Sequence, residues 1–557
     1  MPPFFKRHWP ILAAILSGVL CGLAFPLWNV SALAWLWQWP LLAALWLAPP
    51  VTRRRAFGLG FLMSYAFFLT SLWWLHELGR TAGSLWAGLA AWTLLPLYLA
   101  LYGGVWAVVV ATAGRWRPVE ATSSGERRHW LSGLVTASLP GLFAAGLNAA
   151  TWTGLEWLRG VAFSGFGWNS LGVSQYRSPV LIQIADFTGV AGVSFLLLFA
   201  GQIGFLTVVR LIREMRDRRL MRPHLDFTLA MALVMITVLY GIARLTPRPD
   251  EKTVPVRTLI VQLATPIDLP VTRETLEKIY EDYHDLTSAF CGLGGGVDLV
   301  VWPESALPGQ FYQRGLQERI DLTLAQGNFH LLTGGDIHEM GTGEDYNCLI
   351  LMHRRAIEGQ IHRKRHLVPF GEYIPLRESF PLFAWVTGSM VPSDFSAGTN
   401  SEPLRMEDSP VSLIPLICFE DTMGELARDF VRPEPQIIVN GTNGAWFWES
   451  ANMEQHLANA IFRAVELRRP MVRAANTGVS CFIDQRGRLI DQGGIDRIED
   501  PDTGSTFTRG TLTQTLDVPL AGEITFYAAH GELFGKLCGV SALLVLAGGW
   551  LRRKAAR

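Results

Sequence analysis

Eight long apolar runs constrain this chain more than any other feature, because a helix needs roughly 20 apolar residues to cross a bilayer core. Seven of them crowd the N-terminal half, at about 9–27, 33–47, 56–75, 85–113, 134–158, 180–209 and 227–242, and the eighth falls at about 533–551. Composition agrees: half of the 557 residues are hydrophobic and 17% are charged, against about 25% in soluble domains. Basic and acidic residues balance at 48 each, so no surplus charge points to a nucleic-acid partner.

Local charge orients the runs. Lys6 and Arg7 precede the first one, as in a secretory signal, but no small-residue cleavage pattern follows and further runs come at once, so a retained helix is expected. Basic residues cluster in alternate loops: Arg53, Arg54 and Arg55; Arg115, Arg117, Arg127 and Arg128; Arg210, Arg213, Arg216, Arg218, Arg219 and Arg222; and Arg552, Arg553 and Lys554. The positive-inside rule puts these loops and both termini in the cytoplasm. The expected organisation is a seven-helix transmembrane region over 1–243, an extracytoplasmic domain over 244–532, and an eighth helix with a basic tail over 533–557.

Within 244–532 charged residues become frequent, and short β-branched runs alternate with amphipathic stretches, the pattern of one α/β domain. Strands are predicted at 257–262, 298–302, 330–334, 347–353, 412–418, 436–439 and 479–484, and helices at 272–290, 315–326, 422–431 and 451–467.

Six cysteines are scattered without a CxxC pair or a His/Cys cluster, so neither a disulfide framework nor a metal site is expected. Cys21, Cys291, Cys348, Cys481 and Cys538 read as buried small hydrophobes. Cys418 differs: it ends an apolar strand just before a predicted helix, whose N-terminus would favour a thiolate, although a packed structural cysteine fits the same place. Glu304 follows the proline-stopped run Asp298-Leu-Val-Val-Trp-Pro303 and reads either as a carboxylate delivered to a sheet end or as surface. Residues 362–373, His-Arg-Lys-Arg-His-Leu-Val-Pro-Phe-Gly-Glu-Tyr, read either as a patch for anionic lipid or as a catalytic segment. In the catalytic reading Lys364 stabilises a thiolate and then an oxyanion, Glu304 is the general base and Glu372 holds the lysine.

Taken together, Trp302-Pro-Glu304, Lys364 with Leu367-Val-Pro-Phe-Gly-Glu372, and Cys418-Phe-Glu420 resemble the Glu-Lys-Cys site of the nitrilase superfamily. Within it the chain is similar to the apolipoprotein N-acyltransferases, as Leu155-Glu-Trp-Leu-Arg-Gly160, Gly165-Phe-Gly-Trp168, Glu466-Leu-Arg-Arg-Pro470 and Ala475-Asn-Thr-Gly478 also indicate. The resemblance implies eight membrane helices carrying a nitrilase-like α-β-β-α sandwich domain in the bacterial inner membrane, with no cofactor and no metal. It implies a ping-pong reaction in which Cys418 takes an acyl group from a phospholipid as a thioester and passes it to the α-amine of the S-diacylglyceryl cysteine of an apolipoprotein. Glu304 would be the proton acceptor and Cys418 the nucleophile, with Lys364 beside them and Glu372, Glu420 and Phe419 in support.

Four positions depart from the family pattern. Phe419 stands where tyrosine is frequent, His362 where an aromatic residue precedes the lysine, and Gly444 replaces an acid in Asn443-Gly-Ala-Trp-Phe447. A tryptophan frequent after Val261-Gln262 is missing. His366 and His456 have no role in this chemistry. Trp446, Phe447 and Trp448 read as an aromatic lip or as core, Glu156 and Arg159 as a functional membrane pair or a surface i,i+3 pair, and Glu420 as a positioner of the acceptor amine or a loop support. Two rivals stand beside this reading: a membrane-tethered carbon-nitrogen hydrolase, and a lipid-binding scaffold with an inactive domain.

Overall fold

The computed structural model describes residues 3–49, 51–116, 130–217, 224–247, 251–270, 272–291, 296–312, 314–377, 379, 393–491 and 493–555. The chain divides into two compact units: Met1–Trp73, Trp92–Thr246 and Glu532–Arg557 form one, and Trp74–Ala91 with Pro247–Gly531 form the other.

Helices stand at every apolar run. They are Pro3–Gly22, the broken series Leu33–Leu36, Trp39–Leu42 and Ala43–Leu47, then Arg53–Ser71, Leu85–Ala111, Trp130–Val161, Val190–Arg216, Leu225–Leu245 and Leu533–Ala555. Among the described residues four are long and apolar enough to cross a membrane: Leu85–Ala111, Val190–Arg216, Leu225–Leu245 and Leu533–Arg552. A fifth is reached if Arg53–Ser71 and Trp73–Thr81, bent by 59°, count as one. The expected eight are therefore not matched span for span; the second run is interrupted near Pro40, which cannot donate a helix hydrogen bond. Of the basic residues used to orient the chain, Arg117, Arg127, Arg128, Arg218, Arg219 and Arg222 lie outside the described residues.

This unit packs through small residues and buried polar bonds, the devices that join apolar helices where further apolar burial adds little. A Cβ on Gly60 or on Gly103 would collide with the backbone of the other. Asn148 donates to Gln202 Oε1 (3.1 Å) and to the Gly114 carbonyl (3.0 Å). Arg159, 3% exposed, donates to the Trp168 carbonyl (3.0 Å), and Glu156 accepts from Trp152 Nε1 (2.8 Å) and Leu171 N (2.7 Å). These two residues thus tie down the loop that follows their helix, which a surface i,i+3 pair would not do.

The second unit is built on two sheets. One carries β1 (Thr253–Gln262), β2 (Leu299–Val301), β3 (Leu307–Gln310), β4 (His330–Glu339), β5 (Glu344–His353), β6 (Arg355–Arg363) and β12 (Gly510–Pro519), in the order β12-β1-β2-β4-β5-β6 with β3 beside β4. The other carries β7 (Leu404–Arg405), β8 (Ser412–Ile417), β9 (Gln436–Thr442), β10 (Met471–Ala475) and β11 (Cys481–Ile483), in the order β11-β10-β9-β8-β7.

Strand alternation builds the layers. Ile260, Leu299, Val301, Leu349 and Leu351 of the larger sheet meet Leu413, Ile417, Ile437, Val439 and Val472 of the smaller one in a shared core. Their neighbours Leu259, Val261, Val300 and Ile350 point the other way, against Ile279 and Tyr283 of the helix Arg273–Cys291 and Ile320 of Arg314–Leu324. Strands β8, β9 and β10 are buried on both faces, as parallel strands covered by helices must be, and the helix Asn452–Leu467 is buried along almost its whole length. The result is an α-β-β-α sandwich. Strands β3, β6, β7, β10 and β12 were not predicted; β12 is polar on its exposed face and β6 is basic, so neither shows an apolar run.

Glycine at 334 is what lets β4 approach the end of β2. A Cβ there would fall 2.5 Å from the Pro303 carbonyl oxygen, 2.6 Å from Glu304 Cα and 2.6 Å from Ser305 N. At Gly335 the nearest atom is 3.8 Å away. Gly334→Ala is therefore expected to cost about 1–3 kcal/mol and to displace Glu304, lowering activity, while Gly335→Ala stays near wild type; melting temperature and turnover of the two variants check this.

Candidate active site

The end of β2 delivers Glu304, and the segment after β6 delivers Lys364 and Glu372. Trp302, stacked on Tyr283 at 4.6 Å and donating to Thr287 (3.1 Å), anchors the end of β2. Pro303 then stops the strand, Ser305 turns the chain with φ +53°, and Glu304 is left inside at 6% exposed. Lys364 follows β6, with its N–H on the Asn347 carbonyl (2.8 Å) and its own carbonyl accepting from Gly398 N (2.8 Å). Glu372 closes a turn in which its Oε2 accepts from Val368 N (2.8 Å).

These groups converge. The Lys364 ammonium, 1% exposed, lies 2.8 Å from Glu372 Oε1 and 3.3 Å from Glu304 Oε1. Asn347 bridges the same two oxygens, its Nδ2 donating to Glu304 Oε1 (2.9 Å) and Glu372 Oε1 (3.0 Å). Burial opposes the lysine's charge, but Glu372 and then Glu304 outweigh it and hold its pKa well above the usual range. The Cys418 thiol is within electrostatic reach of this set and hydrogen-bonded to Thr442. Burial and the Glu304 carboxylate push it up to about 12, against the opposing pull of Lys364 and Thr442. The thiol therefore rests protonated beside a carboxylate and an ammonium. A base close to the sulfur is what such a nucleophile needs, and a buried cation is suited to a developing oxyanion.

Comparison with known proteins agrees with the geometry. Residues 17–203 match the apolipoprotein N-acyltransferase N-terminal domain and residues 259–524 match carbon-nitrogen hydrolase. An apolipoprotein N-acyltransferase of Geobacter metallireducens is 33% identical over 549 residues, covering 96% of this chain and 94% of the relative. Those of Methylococcus capsulatus (32% identical, 94% and 92% covered) and Rhizobium rhizogenes (31%, 92% and 92%) are similar over the same extent. The chain belongs to the apolipoprotein N-acyltransferase family. Among solved structures, Saccharomyces cerevisiae Nit3 of the nitrilase superfamily aligns with 52% of this chain and 98% of its own at 14% identity and a TM-score of 0.34.

In this member of the family the backbone at Cys418 differs from the sequence expectation. No long helix follows Cys418; a 3-10 turn, Cys418–Thr422, leads to the five-residue helix Gly424–Arg428. A dipole that short offers little to a thiolate, consistent with the raised thiol. Instead Cys418 takes φ +51°, and its carbonyl is fixed by Asn440 Nδ2 (3.2 Å) and His456 Nε2 (3.1 Å). Behind them Arg473 reaches Asn440 Oδ1 (2.7 Å) and Asp421 Oδ2 (2.6 Å), and Asp421 Oδ1 lies 2.7 Å from His456 Nε2.

Glu420 is fully buried and accepts from Arg365 N (2.6 Å), His366 N (3.0 Å) and Ile417 N (2.8 Å), so it ties the segment after Lys364 to the end of β8. His362 sits 3.7 Å from its Oε2. Phe419 stacks on His366 at 5.8 Å. The structure thus brings Glu304, Lys364, Glu372 and Cys418 together and uses Glu420, Phe419 and His366 around them. Sequence reading missed Asn347, Thr442, Asn440, Asp421 and Arg473, and gave His456 no role. The signal was present only at Arg473, a lone charge inside the apolar strand Met-Val-Arg-Ala-Ala.

One further carboxyl senses the cluster. Asp336 of β4 pairs with Asn347 across the ladder, and burial followed by Glu304, Asp345 and Glu372 pushes it up to about 7. In the unfolded chain it ionises near 3.9, so between pH 4 and 7 the folded state holds a proton the unfolded state has lost, and folding is progressively disfavoured as pH rises. Asp336→Asn removes that loss. Its melting temperature is expected to exceed wild type by a margin that grows from pH 4 to pH 7 and is level above, measured by thermal melts across the range.

Proposed function

We propose that the chain moves a fatty acyl group from a phospholipid to the α-amino group of an S-diacylglyceryl cysteine at the N-terminus of an apolipoprotein, through a thioester on Cys418. The observation that carries this reading is the buried Lys364–Glu304 pair within electrostatic reach of the Cys418 thiol, in a chain related along nearly its whole length to apolipoprotein N-acyltransferases. Cys418 is the nucleophile, Glu304 the proton acceptor and Lys364 the electrophilic partner of the oxyanion; Glu372 and Asn347 hold the lysine and Glu304 in place.

In the first half-reaction Glu304 takes the thiol proton as sulfur attacks the ester carbonyl. The oxyanion forms near Lys364 and collapses, the acyl–oxygen bond breaks, and the proton on Glu304 passes to the leaving lysophospholipid alkoxide. In the second, the acceptor amine attacks the thioester while Glu304 takes its proton, the carbon–sulfur bond breaks, and the proton on Glu304 passes to the leaving sulfur, restoring the thiol and the carboxylate. The amide product is more stable than the thioester, so the second half runs downhill.

Intact mass after incubation with phosphatidylethanolamine is expected to show one acyl adduct on wild type, released by neutral hydroxylamine, and none on Cys418→Ala. Adding diacylglyceryl-modified lipopeptide is expected to discharge it as an amide. Free fatty acid as the main product would instead establish the hydrolase that residues 259–524 resemble, and no adduct on folded wild type would sink the acyl-enzyme.

We further propose that the apolar helices make eight crossings of the bacterial inner membrane, with both termini cytoplasmic and residues 244–532 on the periplasmic side. Alternating basic loops support this orientation. Met340, 93% exposed, offers a reporter: Met340→Cys is expected to react with a membrane-impermeant maleimide in intact spheroplasts, and labelling only after lysis would reverse the topology.

A further inference from the structure

The segment Trp74–Ala91 belongs to the catalytic unit although it lies far from it in sequence, and it grips one loop. Trp74 donates its indole N–H to Gln455 (3.0 Å) and packs edge-on against Phe447 at 4.9 Å. Thr81 donates to the Trp446 carbonyl (2.8 Å), and the Arg80 guanidinium lies over the Trp448 ring at 4.0 Å. The gripped loop leaves the active site directly. Thr442, which touches the Cys418 thiol, is six residues before Trp448, a reach of at most about 20 Å even if extended. The turn Gly444–Phe447 shortens it further.

The donors on this rim are in excess. Arg80 is 60% exposed, and its ion pair with Glu77 is long, at 3.4 Å, the kind of edge contact that contributes little. Among the described residues the Trp448 indole N–H and the Ser450 hydroxyl meet no hydrogen-bond partner although both atoms are buried, and an unpaired buried donor is costly. Trp448 also holds φ +51°, an unfavourable conformation for a bulky residue. In the same loop Gly444 has a Cβ position 2.5 Å from Met453 Sδ and 2.6 Å from the Thr477 carbonyl oxygen. A side chain there would have to displace both.

From these observations we infer that Arg80, Trp448 and Ser450 form a subsite for the phosphate of the acyl donor, a phosphodiester one glycerol unit removed from the ester that Cys418 attacks. A guanidinium and neutral N–H and O–H donors are the groups that bind phosphate. The inference rests on the phospholipid donor proposed above, and it makes Arg80 a specificity residue for the first half-reaction only, because the diacylglyceryl acceptor carries no phosphate. Glu449, next to Trp448 in sequence, is exposed.

The test compares acylation of Cys418 by a phosphatidyl donor and by the matching diacylglycerol, as the ratio of their kcat/KM values. In Arg80→Gln this ratio is expected to fall roughly tenfold, the size of one lost charge-assisted bond. Arg80→Lys is expected to restore part of it, Trp448→Phe to lower it while keeping the ring, and Glu449→Gln to leave it unchanged or raise it. The KM for the lipopeptide acceptor is expected to hold in every variant. An unchanged ratio in Arg80→Gln, even with both rates reduced, would overturn the subsite and leave Arg80 as a brace for the loop. Inhibition by inorganic phosphate alone, equal for both donors and lost in Arg80→Gln, would mark a site for free phosphate instead. If wild type acylates with neither donor, the acyl-enzyme itself fails, and the subsite with it.

Discussion

A buried ammonium shared by a buried and a part-buried carboxylate is the constraint around which the catalytic unit is arranged. Taking ions out of water is expensive, and such a cluster persists only when every member is paired and hydrogen-bonded. Lys364 meets Glu372 and Glu304, Asn347 spans both acids, and Val368 N satisfies the outer oxygen of Glu372. With one cation against two anions, the trio carries surplus negative charge. Two neighbours respond: burial first, and then the Glu304 carboxylate, push up both the Cys418 thiol and the Asp336 carboxyl, the latter to about 7.

The second constraint is in the backbone. Cys418 holds φ +51°, a conformation that survives only where its surroundings over-determine it. Here they do so through the carbonyl, which Asn440 and His456 hold from two elements, β9 and the helix Asn452–Leu467, while Arg473 of β10 braces both through Asn440 and Asp421. Two parallel strands, β9 and β10, and a buried helix therefore set the direction of one sulfur. Glu420 adds a fourth tie, to the segment carrying Lys364, so nucleophile and lysine are positioned by a common frame.

Much of this was legible because apolar runs ending in a charged or nucleophilic residue are unusual in sequence. Val-Val-Trp-Pro-Glu304 and Leu-Ile-Cys418 announce strand ends, and the inner strands β2, β5, β8 and β9 follow from their hydrophobic content. Edge strands with a wet face, such as β12, leave no such mark. The supporting polar residues were harder for a different reason: Asn347, Asn440 and Thr442 are ordinary strand residues until pairing brings them to one end of the sandwich, and that pairing is long-range. His456 was read by chemistry, as an acid or base without a task, when its part is mechanical. The helix expected after Cys418 failed on length, since a favourable apolar pattern over 422–431 was broken by tertiary contacts into a turn and five helical residues.

A thiol held protonated has a consequence for a reaction with two substrates. A pre-formed thiolate in a charged site would react with whatever electrophile arrived and would be a good leaving group toward water. In the proposed reaction a thiol raised by burial surrenders its proton to Glu304 only as the carbonyl accepts the sulfur, so attack would be tied to a donor seated against Lys364. Once acylated, Cys418 bears no charge and burial no longer penalises it, while the high basicity of its thiolate makes it a reluctant leaving group. In the proposed reaction the thioester therefore waits, and release requires an amine placed where Glu304 can take its proton and Lys364 can again receive the oxyanion. The same burial that slows the thiol slows its release to any nucleophile, so the choice of amine over water falls to what is seated against Glu304 and Lys364.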